Sequence, residues 1–167
     1  MIEFKKRRSF EQGHARKFLL IVDDSQEVES ALYYAASRIA HSSGSLVMLY
    51  VIEPQVHQPW AGVRQLQIEE ETNKAKALFR LFRRKLHLAG FDQVACEDVV
   101  SEGVTSDGIL KVIAEDEDIA ILVLGASIDA KGPGPLVAAL AAGKAGFPIP
   151  VTVVPGNLAL ADIIALA

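Results

Sequence analysis

From Asp118 to Pro155 the chain reads DIAILVLGASIDAKGPGPLVAALAAGKAGFPIPVTVVP: an apolar run, a glycine and proline loop, a small-residue helix, then a second apolar run. Ile119 to Leu124 is apolar without alternation, as expected of a strand covered on both faces of a parallel sheet. Ile149 to Val154 is β-branched and bracketed by prolines, which suits an edge strand. Two parallel neighbours need a crossover, so a helix must lie between them. In an open parallel sheet ligands sit beyond the carboxyl ends of the strands, and Gly125 to Gly134 occupies that place.

The rest of the chain repeats the alternation. Phe18 to Val22 is a short apolar run ending in Asp23, Asp24 and Ser25, and Ala31, Leu32, Ala35, Ala36, Ile39 and Ala40 follow at helical spacing. Asp24, three residues before Glu27, matches a helix capping box, so these acids read either as helix-start chemistry or as part of a site. Leu46 to Ile52 is the next buried strand, closed by Glu53 and Pro54. Pro54 to Gly62, with Pro59 and Trp60, is a loop long enough to cover something. The spacing of Leu66, Ala75, Leu78, Phe79, Phe82 and Leu86 predicts a long amphipathic helix from Val63 to Gly90, with Arg80, Arg83, Arg84 and Lys85 on its solvated face. Val94 to Val100 is a third strand, Ser101 to Ser106 a turn around Gly103, and Asp107, Ile109, Leu110, Ile113 and Ala114 a shorter helix. Strands alternating with helices give an α/β fold, an open doubly wound parallel sheet with helices on both faces.

Composition narrows the function classes. With 50% hydrophobic and 23% charged residues, 167 residues make one domain with a full core. A net charge of -4 argues against nucleic acid. Cys96 is the single cysteine, which excludes an internal disulfide and fits a reducing cytoplasm; placed in the third strand, it reads as core or rim rather than a nucleophile. No apolar run approaches the roughly 18 residues of a membrane span, and KKRR near the start has no apolar stretch after it to form a signal peptide. Residues 1–16 are expected to be a mobile basic arm, 17–156 the domain, and 157–167 a tail whose LALADIIALA docks as a short helix. No Ser-His-Asp order, metal-spaced histidine set or P-loop occurs, and His14, His41, His57 and His87 are scattered, so no enzyme activity is expected beyond slow ATP hydrolysis.

LLIVDDS at the first strand, MLYVIEP at the second, LVLGA with GPGPLV, and PVTVVP together resemble the universal stress protein (UspA-like) family over Lys17 to Gly156. PWAGVRQLQIEEE with GPGPLV is most similar to a bacterial subgroup whose glycine loop differs from that of the ATP-binding members. The resemblance implies an adenine nucleotide alpha hydrolase-like sheet of order 3-2-1-4-5, a stress-response role, a cytoplasmic homodimer paired through Ile149 to Val154, and in many members ATP or another adenine nucleotide, with Mg if it is a triphosphate. By that likeness Val22, Asp23, Asp24, Val51, Leu124, Gly125, Gly132, Gly134, Gly143 and Lys144 are the nucleotide-binding candidates, with Asp23 on adenine or ribose and Val51 beside adenine.

The family's phosphate motif is glycine, two residues, glycine, nine residues, glycine, then serine or threonine. This chain departs from it: Ile128 stands where the second glycine belongs, and Lys144 follows Gly143. Pro133 and Pro135 have no N–H for a phosphate, though proline suits the first turn of a helix. Asp129 brings a negative charge that Lys131 and Lys144 offset. Two further readings stand beside nucleotide binding. One is a nucleotide-independent dimer acting through protein contacts, with Trp60 and the tail as candidate surfaces. The other is a phosphoaccepting receiver domain, suggested by FLLIVDDS, but VVSEG and VVPGN stand where such a site needs an aspartate and a lysine.

Overall fold

The computed structural model describes residues 2–55 and 60–167; residues 56–59, with His57 and Pro59 of the expected covering loop, lie outside them, as does Met1. Five strands and five helices alternate in chain order: β1 (Lys17–Ile21), α1 (Glu27–His41), β2 (Ser45–Ile52), α2 (Ala61–Leu88), β3 (Cys96–Glu102), α3 (Thr105–Glu115), β4 (Ile119–Ala126), α4 (Pro135–Ala141), β5 (Val151–Pro155) and α5 (Leu160–Leu166). All four strand pairings are parallel, in the order β3-β2-β1-β4-β5. The expected sheet is therefore the observed one.

Side chains of successive strand residues point to opposite faces, so a strand buried on both sides must be apolar throughout. β1 shows this: Phe18 and Leu20 join a core with α1 and α2, including Leu32, Phe79 and Phe82, while Leu19 faces a second core with Ile109 and Ile113 of α3. Both cores are continuous across the central strands. β3, at one edge, is only partly covered: Cys96 packs against the first core and Val99 against the second, while Glu97, Asp98, Val100 and Glu102 are exposed.

Boundaries shift where backbone pairing outruns or undershoots the apolar pattern. β3 begins at Cys96 rather than Val94 and runs on through Glu102, residues expected as a turn, because Leu46 to Ile52 pairs with Cys96 to Glu102 across the whole length. β5 begins at Val151: Ile149 is buried, but the first partner of β4 on that edge is Val151, opposite Leu122. Burial of Cys96 pushes its thiol above the usual range, which leaves it a poor nucleophile at neutral pH.

The N-terminal segment differs from the mobile arm expected of it. The Arg7 guanidinium donates to the carbonyls of Ile113 at 2.7 Å and Asp116 at 2.9 Å, at the carboxyl end of α3. Ser9 is buried, and His14 Nδ1 lies 2.7 Å from Asp118 Oδ1. A helix end offers carbonyls without intrahelical donors and favours a cation, so an arginine near it is held by backbone alone. Replacing Arg7 with alanine should cost about 1–2 kcal/mol in chemical denaturation, since two charge-assisted hydrogen bonds are lost; an unchanged midpoint would show that the segment contributes nothing. At the other terminus, α5 lies along α1 with Ile163 fully buried, and His41 Nδ1 is 2.8 Å from the Ala167 carbonyl oxygen.

Candidate functional site

From β1 the chain crosses by α1 to β2 on one side, while β4 lies on the other, with Leu20 opposite Val123. The strand order reverses between β1 and β4, and a crevice opens where their carboxyl ends part. That crevice is a cleft of about 650 Å³, a size that suits a small organic ligand. Asp23, just past β1, and Gly125, near the end of β4, both line it.

The turn out of β1 is fixed by Asp23. Its Oδ1 accepts the Ser25 N–H at 2.8 Å and also the Ser25 hydroxyl, an Asx turn that leads the chain into α1. The capping box that one of the two readings of Asp24 and Glu27 implies does not form: the residue before α1 is Gln26, and no side chain caps the helix. Asp24 instead pairs with Lys74 of α2 at 2.9 Å, and the ammonium holds its carboxyl below the usual range. This pair ties the turn between β1 and α1 to α2, outside the cleft lining.

Gly125 carries a packing constraint. A Cβ placed there would stand 2.4 Å from the Glu27 carbonyl oxygen, so only glycine lets β4 lie against the first turn of α1. The loop after β4 is folded on itself. Ser127 N–H donates to the Pro133 carbonyl at 3.1 Å and Gly132 N–H to the Asp129 carbonyl at 3.0 Å. Gly134, at φ +103, then swings the chain into α4, where Pro135 takes the first helical position.

The walls are apolar and acidic. Ile21, Val28, Val51, Leu124, Leu136 and Val137 supply apolar surface. Glu27, Glu53 and Glu71 bring carboxylates, and Lys144 is the one lysine or arginine of the described lining. Glu71 accepts the Tyr50 hydroxyl at 2.5 Å, and Glu53 accepts the Thr105 hydroxyl. Burial, then the Glu71 carboxylate, pushes the Tyr50 phenol well above its ordinary range, so it remains a donor.

Of the ten candidates, the structure brings Asp23, Val51, Leu124, Gly125, Gly134 and Lys144 together around this space. Val22 is buried in the core, and Asp24, Gly132 and Gly143 are outside the lining. Sequence reasoning missed Glu27, Glu53, Gln67, Glu71, Thr105 and Ser106. Glu53, Thr105 and Ser106 follow the carboxyl ends of β2 and β3, where the same rule that singled out Asp23 would have found them. Gln67 and Glu71 carried no such signal, because they come from the middle of α2.

Comparisons with known proteins agree on the fold. The sequence model of the universal stress protein family matches residues 14–155. No curated protein sequence matches the chain. Among solved structures, the universal stress protein UspA from Lactobacillus plantarum superposes with a TM-score of 0.65 at 19% identity, covering 83% of this chain and 97% of that one. A universal stress protein family protein from Arabidopsis thaliana with AMP bound gives 0.58 at 21% identity, covering 88% and 99%. The universal stress protein from Archaeoglobus fulgidus in complex with dAMP gives 0.57 at 18%, covering 83% and 97%.

Proposed function

The chain belongs to the universal stress protein family, and from that membership we propose that it is a regulatory protein that binds an adenine nucleotide in the cleft between the ends of β1 and β4. The observation that carries the reading is the meeting of Asp23 with Gly125 across an open space that no side chain of the described residues fills. The Asp23 carboxylate is an acceptor for ribose or adenine donors, and Val51 and Leu124 offer apolar surface to a base. Relatives of the same fold with AMP and dAMP bound support that choice of ligand class. A binding and regulatory role is supported by the carboxylates of Asp23, Glu53 and Glu71, each of which accepts a hydrogen bond from a protein hydroxyl that holds it in place. Were a triphosphate bound, Mg would come with its phosphates, since among the described residues no three of His, Cys, Asp and Glu gather as metal ligands.

The direct test is equilibrium dialysis of labelled AMP against the purified protein. Saturable binding at one site per chain is expected, and its absence up to millimolar AMP would end this reading. In that event the nucleotide-independent reading takes over. It is favoured by Trp60, 69% exposed, which with Val63 and Leu66 puts three exposed apolar side chains at helical spacing around the start of α2.

The working unit proposed is a cytoplasmic homodimer paired along β5. β5 pairs with β4 on one side alone, and its Val153 is exposed, an apolar edge that a second copy would cover. Val153→Lys should turn a dimer into a monomer in sedimentation velocity at micromolar concentration, and a wild-type monomer would contradict the pairing.

A further inference from the structure

We propose that the cleft selects adenine nucleotides by charge, taking adenosine and its monophosphate and rejecting the triphosphate; this rests on the reading of the cleft as a nucleotide site. Besides Asp23, which serves the nucleoside end, the lining holds Glu27, Glu53 and Glu71 against Lys144. The three glutamates come from the first turn of α1, the end of β2 and the middle of α2. They therefore surround the space instead of converging on a cation. Two are fixed by neutral donors, Glu71 by Tyr50 and Glu53 by Thr105, which orient a carboxylate without cancelling its charge. Lys74, one turn further along α2 than Glu71, is paired with Asp24.

The loop that should answer a phosphate gives little back. An anion cradle needs successive N–H groups pointing outward. Here the N–H groups of Ser127 and Gly132 donate to carbonyls of the same loop, that of Asp129 donates to the Ser127 hydroxyl at 3.1 Å, and Pro133 and Pro135 have none. The amino end of α3 also opens on the cleft at Thr105 and Ser106, a place that favours negative charge, but Glu53 already stands there. Each added phosphate thus brings more negative charge into a lining with three glutamates and one lysine, offset on the loop side only by the amino end of α4 at Leu136 and Val137, whereas adenine and ribose carry no charge to repel.

Calorimetric titration of the full chain with adenosine, AMP and ATP, at low salt and without magnesium, tests this. AMP should bind at least about tenfold tighter than ATP, as expected of repulsion at short range in a partly enclosed site. ATP affinity should rise as sodium chloride is added, because salt screens repulsion. The isosteric pair Glu53→Gln and Glu71→Gln, which keeps both hydrogen bonds, should narrow the AMP-to-ATP ratio by about tenfold. ATP binding as tightly as AMP, ATP affinity falling with salt, or a ratio unmoved by the double substitution would each overturn charge selection while leaving the nucleotide site in place. The salt arm needs no variant and so survives a misfolded one. Failure of all three ligands to bind would overturn both claims.

Discussion

Gly125→Val should lower the thermal midpoint by about 10 °C, the shift expected from about 3 kcal/mol in a domain of this size. The cause is backbone against backbone: even the first added carbon would lie 2.4 Å from the Glu27 carbonyl oxygen and 2.8 Å from its carbon. Neither atom can rotate away as a side-chain end would, so β4 and α1 must separate. Gly156 closes the same seam, its absent Cβ facing Glu27 Cβ at 2.7 Å. Gly62→Ala is the control, because nothing lies within 4 Å of a Cβ there and α2 gains a better helix former. Circular dichroism melts of the two variants decide the matter. Equal midpoints for Gly125→Val and the wild type would mean that the seam is loose and that the glycine is free for another purpose.

Asp23→Ala should weaken AMP binding by about tenfold or more, the loss expected when a hydrogen bond to a charged group is removed. Two effects act together. The acceptor facing the cleft disappears, and so does the Asx turn that places Ser25 and the start of α1. Because the contact assigned to Asp23 is with the nucleoside, adenosine and AMP should lose affinity alike. Titration of both ligands separates this from an electrostatic effect on phosphate, which would spare adenosine. Undiminished binding of both would remove Asp23 from the site.

The sheet was legible because its central strands have no polar face to hide. Leu19 and Leu20 must both be buried, and only a strand between two helical layers achieves that. The reversal point came from the likeness to the universal stress protein family, which implied the strand order, and with it the facing positions of Asp23 and Gly125. Gly125 itself was legible only as a glycine: its place in the likeness suggested a phosphate, whereas the structure uses it to admit the Glu27 backbone. Asp24 was misread in a related way, since its spacing to Glu27 fits a cap but its partner is Lys74, far along the chain and one helix away. Glu71 and Gln67 could not be assigned because the rotation of α2 about its axis is set by Phe79 and Phe82 packing on the sheet, not by the residues near the cleft. Arg7 was hidden for another reason. Its partners are main-chain carbonyls, which every sequence possesses and none advertises.

The most direct measurement is the crystal structure of the chain grown with AMP. The account predicts density for the nucleotide beyond the ends of β1 and β4, with ribose or adenine within hydrogen-bonding distance of Asp23 and the base against Val51. Density at any other place, or a cleft that stays empty under saturating AMP, would contradict it.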